Sequence, residues 1–189
     1  MFNKKHTFKI PKNVLIIYSS FNGYFLFKDK SNKVRLIKTF FKLKFLNKNT
    51  FNVTSKPINY HHPINKKKIN TRLSTQVTSF KQCLYEISNY PYKKLIFVGL
   101  GYKFLLIKKN TLRLLQLKLG YSHDIYIKVP CEINLQWYNH NSIYILSKSI
   151  IILNGFSNKI KAYRIPDTYL GKGIMYFNEK ISLKKGKQA

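Results

Sequence analysis

The balance of charge constrains this chain more than any other feature of its sequence. Its 189 residues include 35 lysines and arginines but only 6 aspartates and glutamates, a formal net charge of +29. Repulsion among so many like charges opposes compaction unless a polyanion neutralises them. The cations are spread along nearly the whole chain rather than along one amphipathic helix. This distribution favours a nucleic-acid phosphate backbone over a membrane surface as the partner.

The rest of the composition is that of a chain able to fold. It is 44% hydrophobic and 15% aromatic, enough to build a core. The two cysteines, Cys83 and Cys131, are far apart and are expected to be free thiols. Residues 1–12 are polar and basic, unlike a signal peptide. The longest apolar run, 95–102, contains two glycines and is far shorter than the ~18 residues of a membrane span.

Residues with A/T-rich codons dominate, and lysine greatly outnumbers arginine. This bias is typical of an A/T-rich genome. It favours a gene carried in an organelle, with a mitochondrion as our prediction and a plastid or a reduced bacterium as the alternatives.

Alternating and turn-bounded apolar runs predict strands in the first half of the chain, followed by a helix. A basic loop at 55–70 is rich in Pro, Asn, His and Lys, and helical spacing of apolar residues begins at Thr71 and ends at Ser88. The predicted strands are 14–18, 24–27, 34–37, 43–46 and 51–53, with a hairpin turn at Asn22-Gly23.

The second half repeats this order. Predicted strands at 95–98, 102–107, 111–119, 125–129, 133–136 and 143–146 precede a helix at 149–163 that Ser149 is placed to cap. Residues 10–14 (IPKNV) echo 129–133 (VPCEI), which suggests a duplication. We therefore predict an α+β fold of two similar tandem modules, each an antiparallel or mixed β-sheet packed against a helix, plus a basic C-terminal tail. The predicted boundaries are 1–90, 91–175 and 176–189.

Residue patterns that would indicate catalysis are weak. Gly99-Leu100-Gly101 follows a strand but lacks the third glycine of a dinucleotide loop. His61-His62 has no Cys, Asp or Glu nearby to complete a metal site, and His123-Asp124 has no plausible activated serine. Six carboxylates leave little material for acid–base or two-metal chemistry. We predict no enzyme activity, no cofactor, no metal and no small-molecule substrate.

The stretch AYRIPDTYLGKGIMY, residues 162–176, has a different chemistry. Gly171 and Gly173 allow close approach of the backbone to a phosphate, and Lys172 between them supplies charge. Arg164 can form a forked contact with phosphate, and aromatic rings can stack on unpaired bases. The predicted RNA-binding residues from this stretch and the tail are Tyr163, Arg164, Tyr169, Gly171, Lys172, Gly173, Tyr176, Lys180, Lys184, Lys185 and Lys187.

Four blocks of sequence resemble the bacterial-type large-subunit ribosomal protein L-six family. They are FVGLGY at 97–102, LKLGYSH at 117–123 with the VPCEI step at 129–133, KAYRIPDTYLGKGIMY at 161–176, and the basic ending KKGK at 184–187. The third block is the most specific and adds Lys161 to the predicted RNA-binding residues. Order and spacing agree over 95–189, whereas the first half matches weakly, at 10–14 and 71–80.

The resemblance implies two similar α+β domains and binding to large-subunit ribosomal RNA near the sarcin–ricin loop and the stalk base. Neighbouring ribosomal proteins are further expected partners. Leu170, Ile165 and Met175 stand where the family has basic residues, so three phosphate contacts are expected to be lost or moved. Two rivals remain: an organellar RNA-processing or other basic RNA-binding protein, and a peripheral membrane protein. The first would need clustered acidic metal ligands if it were a nuclease, and the second a basic amphipathic helix.

Overall fold

The structure is a computed structural model that describes residues 6–19, 23–29, 33–47, 50–57, 66–109, 112–139 and 141–186. The chain divides into two compact units, Met1–Asn89 and Tyr90–Ala189, which are called the first and second unit below. Within the described ranges, no helix is long and apolar enough to cross a membrane.

The first unit combines two three-stranded antiparallel sheets with one helix in its described part. One sheet has the order β2-β3-β4 and the other β1-β6-β5. The elements are β1 His6–Lys9, β2 Val14–Ser19, β3 Tyr24–Asp29, β4 Val34–Lys38, β5 Phe41–Asn47, β6 Thr50–Pro57 and α1 Lys66–Ser88.

The second unit repeats this plan and adds a strand. Its sheets have the orders β10-β9-β8 and β11-β12-β7-β13, and every described strand pair is antiparallel. The elements are β7 Tyr92–Val98, β8 Lys103–Lys109, β9 Leu112–Lys118, β10 Ile125–Lys128, β11 Ile133–Asn139, β12 Ser142–Ser147, α2 Ile150–Ala162 and β13 Gly173–Tyr176.

The two units match element by element. In each, the first strand pairs with the sixth, the sixth pairs with the fifth, the middle three form a separate sheet, and the helix follows the sixth strand. The α+β prediction of two similar modules is therefore confirmed. The sequence similarity between 10–14 and 129–133 does not reflect this repeat of the two units. Residues 10–14 join the first and second strands of the first unit, β1 and β2, whereas 129–133 join the fourth and fifth strands of the second unit, β10 and β11. Both are the same local turn, in which the Val14 or Ile133 amide donates to a proline carbonyl three residues earlier, at 3.1 Å.

The cores of the two units are built from different residue types. Phenylalanines dominate the first, where the Phe25 ring lies 5.2 Å from Phe51 and 5.3 Å from Phe80. The second core is mainly aliphatic and includes Leu95 and Ile145. Ring pairs of this kind add favourable edge-to-face contacts to the hydrophobic effect of burial.

Helix α2 forms against its local propensity. Three successive isoleucines and Gly155 disfavour a helix, yet residues 150–162 are helical. Tertiary packing compensates, since Leu153, Phe156 and Ile160 recur at helical spacing and are buried in the core. Ser149 occupies the N-cap position as predicted, but its side chain makes no capping hydrogen bond.

Three details differ from the pattern-based prediction. Helix α1 begins at Lys66, not Thr71, because Ile69 continues the apolar face and packs against the core. The predicted loop therefore shrinks, and β6 extends to Pro57; residues 58–65, with His61 and His62, lie outside the described residues. Strands β1 and β13 were not predicted, since each is only four residues long and depends on pairing with a distant strand.

Candidate nucleic-acid interface

The predicted RNA-binding stretch folds into a closed loop rather than an extended segment. The Ile174 amide donates to the Arg164 carbonyl at 2.9 Å, and the Asp167 amide donates to the Lys172 carbonyl at 3.0 Å. Residues 164–172, called the basic loop below, thus leave α2 and return to enter the sheet through β13. This closure holds the exposed side chains of Arg164 and Lys172 on one short element.

Asp167 organises the tip of the basic loop. Its carboxylate accepts hydrogen bonds from the Tyr169 amide at 3.3 Å and the Leu170 amide at 3.4 Å. Its own carbonyl accepts from the Gly171 amide at 2.9 Å. These bonds form an Asx-type turn, so this carboxylate has a structural role inside a basic segment.

The two glycines of the loop serve different purposes. Gly171 has φ +67°, a left-handed conformation in which its nearest neighbour is the Leu183 side chain. Gly173 is buried with φ +153°, and a Cβ there would lie 2.5 Å from the Cα of Pro166. Its small size therefore lets two backbone segments pack, which leaves little surface at Gly173 itself for a phosphate.

Two of the predicted RNA-binding side chains are engaged inside the second unit. The Lys161 ammonium donates to Glu179 Oε1 at 2.5 Å and lies 5.1 Å from the centre of the Tyr176 ring. The Tyr176 hydroxyl bonds to Ser157 and Asn158 on α2, and its amide donates to Glu179 Oε2 at 3.1 Å. The Lys161 bond, supported by that amide, holds the pKa of Glu179 below its ordinary value. This network fastens β13 to α2.

Arg164 lies on an aromatic platform that the sequence analysis did not select. Its guanidinium is 5.0 Å from the centre of the Tyr121 ring, and hydrogen bonding to Tyr121 raises the pKa of Arg164. The Tyr121 hydroxyl in turn donates to the Tyr163 carbonyl at 2.9 Å. Tyr121 belongs to the LKLGYSH block quoted above, so a signal was present, but the two tyrosines are 42 positions apart in the sequence and their contact is not visible from it.

Tyr121 also separates two open grooves on the second unit. One, of about 490 Å³, is lined by Tyr121, Ala162, Tyr163, Arg164, Ile165, Asp167, Leu170 and Lys172. The other, of about 400 Å³, is lined by Tyr121, His123, Asp124, Ile125, Tyr126 and Tyr163. The His123 ring stacks on Tyr121 at 6.1 Å. Tyr121 and Tyr163 thus line both grooves, and the Arg164 guanidinium lies over Tyr121.

The C-terminal tail docks on the basic loop. The Lys184 amide donates to the Thr168 carbonyl at 2.9 Å, and the preceding Leu183 side chain would lie 3.5 Å from a Cβ placed at Gly171. The side chains of Lys180, Lys184 and Lys185 are exposed, whereas Lys187 lies outside the described residues. The tail and the loop therefore present their charges together.

The few acidic side chains are mostly committed to structural contacts. Glu86 pairs with Arg35 at 3.2 Å, and Asp124 accepts from Gln116 at 2.7 Å. With Asp167 and Glu179, four of the six carboxylates are held inside the units. No group of three His, Cys, Asp or Glu side chains that could hold a metal occurs among the described residues.

The candidate interface consists of exposed residues that can contact RNA and half-buried residues that position them. Arg164, Tyr169 and Lys172 are exposed on the basic loop, and Arg164 and Lys172 line one groove with Tyr121. Lys161, Tyr163 and Tyr176 are half-buried and hold the loop in place. Such a rigid cation-and-ring surface can contact phosphates and stack on bases.

Fold and site together define a class: a small, strongly basic α+β protein of two matching sheet-and-helix units. No protein-family model matches the chain. Several curated proteins, in contrast, are similar to it. The large ribosomal subunit protein uL6 of Parabacteroides distasonis is 40% identical over 101 residues, 51% of this chain and 53% of that protein. Its counterpart in Chloroherpeton thalassium is 42% identical over 97 residues, covering 51% and 52%.

A third relative, uL6 of Mycoplasma genitalium, is 37% identical over 97 residues, 51% of this chain and 50% of that protein. The chain spans about half the length of the curated relatives it matches. Over that matched half it is similar to uL6 proteins of the large ribosomal subunit.

Proposed function

We propose that this protein is a structural component of the large ribosomal subunit and binds large-subunit rRNA through the basic loop and tail. The observation that carries the proposal is the similarity to uL6 proteins over half the chain. The geometry supports it, because Arg164 and Lys172 are exposed on a closed loop. The carboxylates nearby, Asp167 and Glu179, are engaged in hydrogen bonds within the second unit. The protein would act by neutralising phosphates and holding RNA helices in place, with no catalysis of its own.

The expected site on the RNA is the region of the sarcin–ricin loop and the stalk base, as the family resemblance implies. Neighbouring ribosomal proteins complete the proposed partners. We further propose a mitochondrial ribosome, because residues with A/T-rich codons dominate the sequence; the relatives named above come from bacteria.

Lys172→Ala tests the role of the basic loop. Among the described residues no carboxylate pairs with Lys172, so its ammonium is available to a phosphate. With an rRNA fragment carrying the sarcin–ricin loop, the variant should bind more weakly. Its slope of log affinity against log salt should fall by roughly one unit, the value for one lost phosphate contact.

Lys81→Ala is the matched control. Lys81 is an exposed lysine on α1 of the first unit, so this variant removes the same charge away from the loop. If the slope of log affinity against log salt were the same for the two variants, Lys172 would contribute only to net charge. The basic loop would then not be part of the RNA interface. Arg164→Lys should also weaken binding, because lysine retains the charge but loses the planar fork above Tyr121.

Sedimentation of native lysate on a sucrose gradient tests the assembly. Co-migration with the large ribosomal subunit, lost when magnesium chelation unfolds the subunit, is the expected result, and purified mitochondria should contain the complex. Migration with smaller RNA or with membranes would contradict the proposal and favour an RNA-processing or lipid-binding role.

A further inference from the structure

A second surface of the second unit carries aromatic rings around a lysine, on the side of the sheet away from α2. In β7 and β12, Leu95 and Ile145 point into the core against which α2 packs. Strand side chains alternate between faces, so their neighbours Lys94 and Tyr144 lie on the opposite face. We call this the aromatic face, and it comprises Tyr92, Lys94, Tyr138, Tyr144 and Phe177.

The members of the aromatic face are mutually arranged by the sheet. Tyr144 is the cross-strand partner of Lys94, and the Phe177 amide donates to the Lys94 carbonyl at 3.1 Å. The Tyr144 ring lies 6.2 Å from Tyr92 and 6.4 Å from Tyr138. The positions are therefore set by β-ladder hydrogen bonds rather than by loops.

A cation occupies the centre of these rings. The Lys94 ammonium is 5.4 Å from the centre of Tyr138, 5.3 Å from Tyr144 and 4.5 Å from Phe177. The four strands of the sheet contain no Asp or Glu at all. The surface is consequently positive, and nothing in these strands neutralises it.

The outer rings of the aromatic face are open to solvent. Tyr138 is 70% exposed, Tyr92 65% and Phe177 61%. Large rings left in water are unfavourable unless something covers them, and grouped exposed rings indicate an interaction surface. None of these residues takes part in the basic loop, so this surface needs a separate explanation.

We propose that the aromatic face binds single-stranded RNA by stacking unpaired bases on its rings, with Lys94 close to the phosphates. Four-stranded sheets with exposed aromatics are a recurrent platform for unpaired bases, since every base has a π-face and the backbone is anionic. The face carries several rings around a lysine, whereas the large exposed side chains of the β2-β3-β4 sheet are mainly aliphatic, with Tyr24 as an exposed ring beside Leu15, Ile17, Val34 and Leu36. Charge and ring chemistry together favour RNA over an apolar protein.

This inference rests on the proposed RNA-binding function and adds a second contact with RNA. The role of the basic loop and the role of the aromatic face can be refuted separately. The basic loop is assigned to folded rRNA and the aromatic face to an unpaired segment. The probe for the aromatic face is therefore an unstructured labelled oligonucleotide such as a short oligo(U), titrated into the full chain. The folded rRNA fragment is titrated in parallel.

The test variant is Tyr138→Leu combined with Phe177→Leu, which removes two exposed rings but keeps apolar side chains on the sheet. It should bind oligo(U) at least about thirtyfold more weakly, since stacking contributes ~1–3 kcal/mol per base and two rings are lost. Its salt slope should match that of the unmodified chain, because no phosphate contact is removed. Tyr138→Phe keeps the ring and should bind normally, as should the control Tyr85→Leu, which alters an exposed tyrosine of α1.

Oligo(U) binding within twofold of the unmodified chain for the double variant would overturn the proposal. If that variant also failed to join the large subunit, the face would instead contact a protein. Unchanged folded-rRNA binding by Lys172→Ala would reject only the role of the basic loop.

Discussion

Gly173→Ala tests the idea that the basic loop depends on close packing of two backbone segments. A Cβ at this position would lie 2.5 Å from Pro166 Cα, 2.7 Å from Pro166 N and 2.9 Å from Ile165 C. These are backbone atoms, so the clash cannot be relieved by rotating a flexible side chain. The whole turn would have to move away from β13.

The expected cost is large for a single methyl group. Overpacking typically costs about 1–3 kcal/mol, and a backbone conformation unfavourable for alanine, such as φ +153°, adds about 1–3 kcal/mol. We therefore expect a loss of roughly 2–6 kcal/mol in the unfolding free energy of the second unit. For a unit of about 100 residues this lowers the melting temperature by roughly 10–30 °C.

Two other glycines calibrate the measurement. Gly171→Ala meets only Leu183 at 3.5 Å, so its cost is that of the left-handed backbone, about 1–2 kcal/mol. Gly155→Ala, inside α2, meets nothing within 4 Å and should stabilise the helix by about 0.5–1 kcal/mol.

The assay is urea unfolding followed by amide hydrogen exchange, because exchange in second-unit peptides separates the two units. The unfolding is measured at high salt, because salt screens the repulsion that accompanies a net charge of +29. From the most to the least stable, the predicted order is Gly155→Ala, the unmodified chain, Gly171→Ala and Gly173→Ala. If Gly173→Ala were as stable as Gly171→Ala, the packing of Gly173 against Pro166 would not be what holds the loop.

Two further predictions concern titratable groups. Burial, reinforced by Glu86, raises the pKa of Cys83 from 9.0 to about 12. The folded thiol thus keeps its proton, and this contribution to stability is complete below pH 9.0 and lost as the pH rises towards 12. Unfolding of the first unit should become easier across that window, less so in Cys83→Val, and a maleimide at neutral pH should label exposed Cys131 well before Cys83. The lowered pKa of Glu179 has the opposite sign, since its stabilisation is present above pH 4.5 and lost on acidification. Melting temperatures of Glu179→Gln should therefore fall less than those of the unmodified chain below pH 4.5.

Most secondary structure was predictable because its signal is local. Each predicted strand overlaps an observed strand in the described part of the chain, as alternating apolar residues require one buried face. The start of α1 was missed because Ile69 stands among lysines and asparagines and looked isolated. Helix α2 was predicted from the cap position of Ser149 and the agreement in spacing with the family over 95–189, although Ile150–Ile152 and Gly155 locally favour other structures.

The candidate site was predictable in location but not in the roles of its members. Arg164 and Lys172 are exposed on the basic loop, as RNA binding requires. The sequence offered no way to see that Lys161 pairs with Glu179, 18 residues away, or that Tyr176 bonds back to α2. In the sequence, a lysine within a basic motif is expected to be available to phosphate. Only the fold shows that one of the few carboxylates pairs with it.

The sequence by itself determined the charge, the repeated order of strands and helix, and the similarity of half the chain to uL6 proteins. These follow from composition, periodicity and motif spacing, all of which are local or summed over the chain. The tertiary structure decided which cations are free, that Gly173 serves backbone packing, and that Tyr121 supports Arg164. It alone assembled the aromatic face, because Tyr92, Tyr138, Tyr144 and Phe177 become neighbours only when distant strands pair in register.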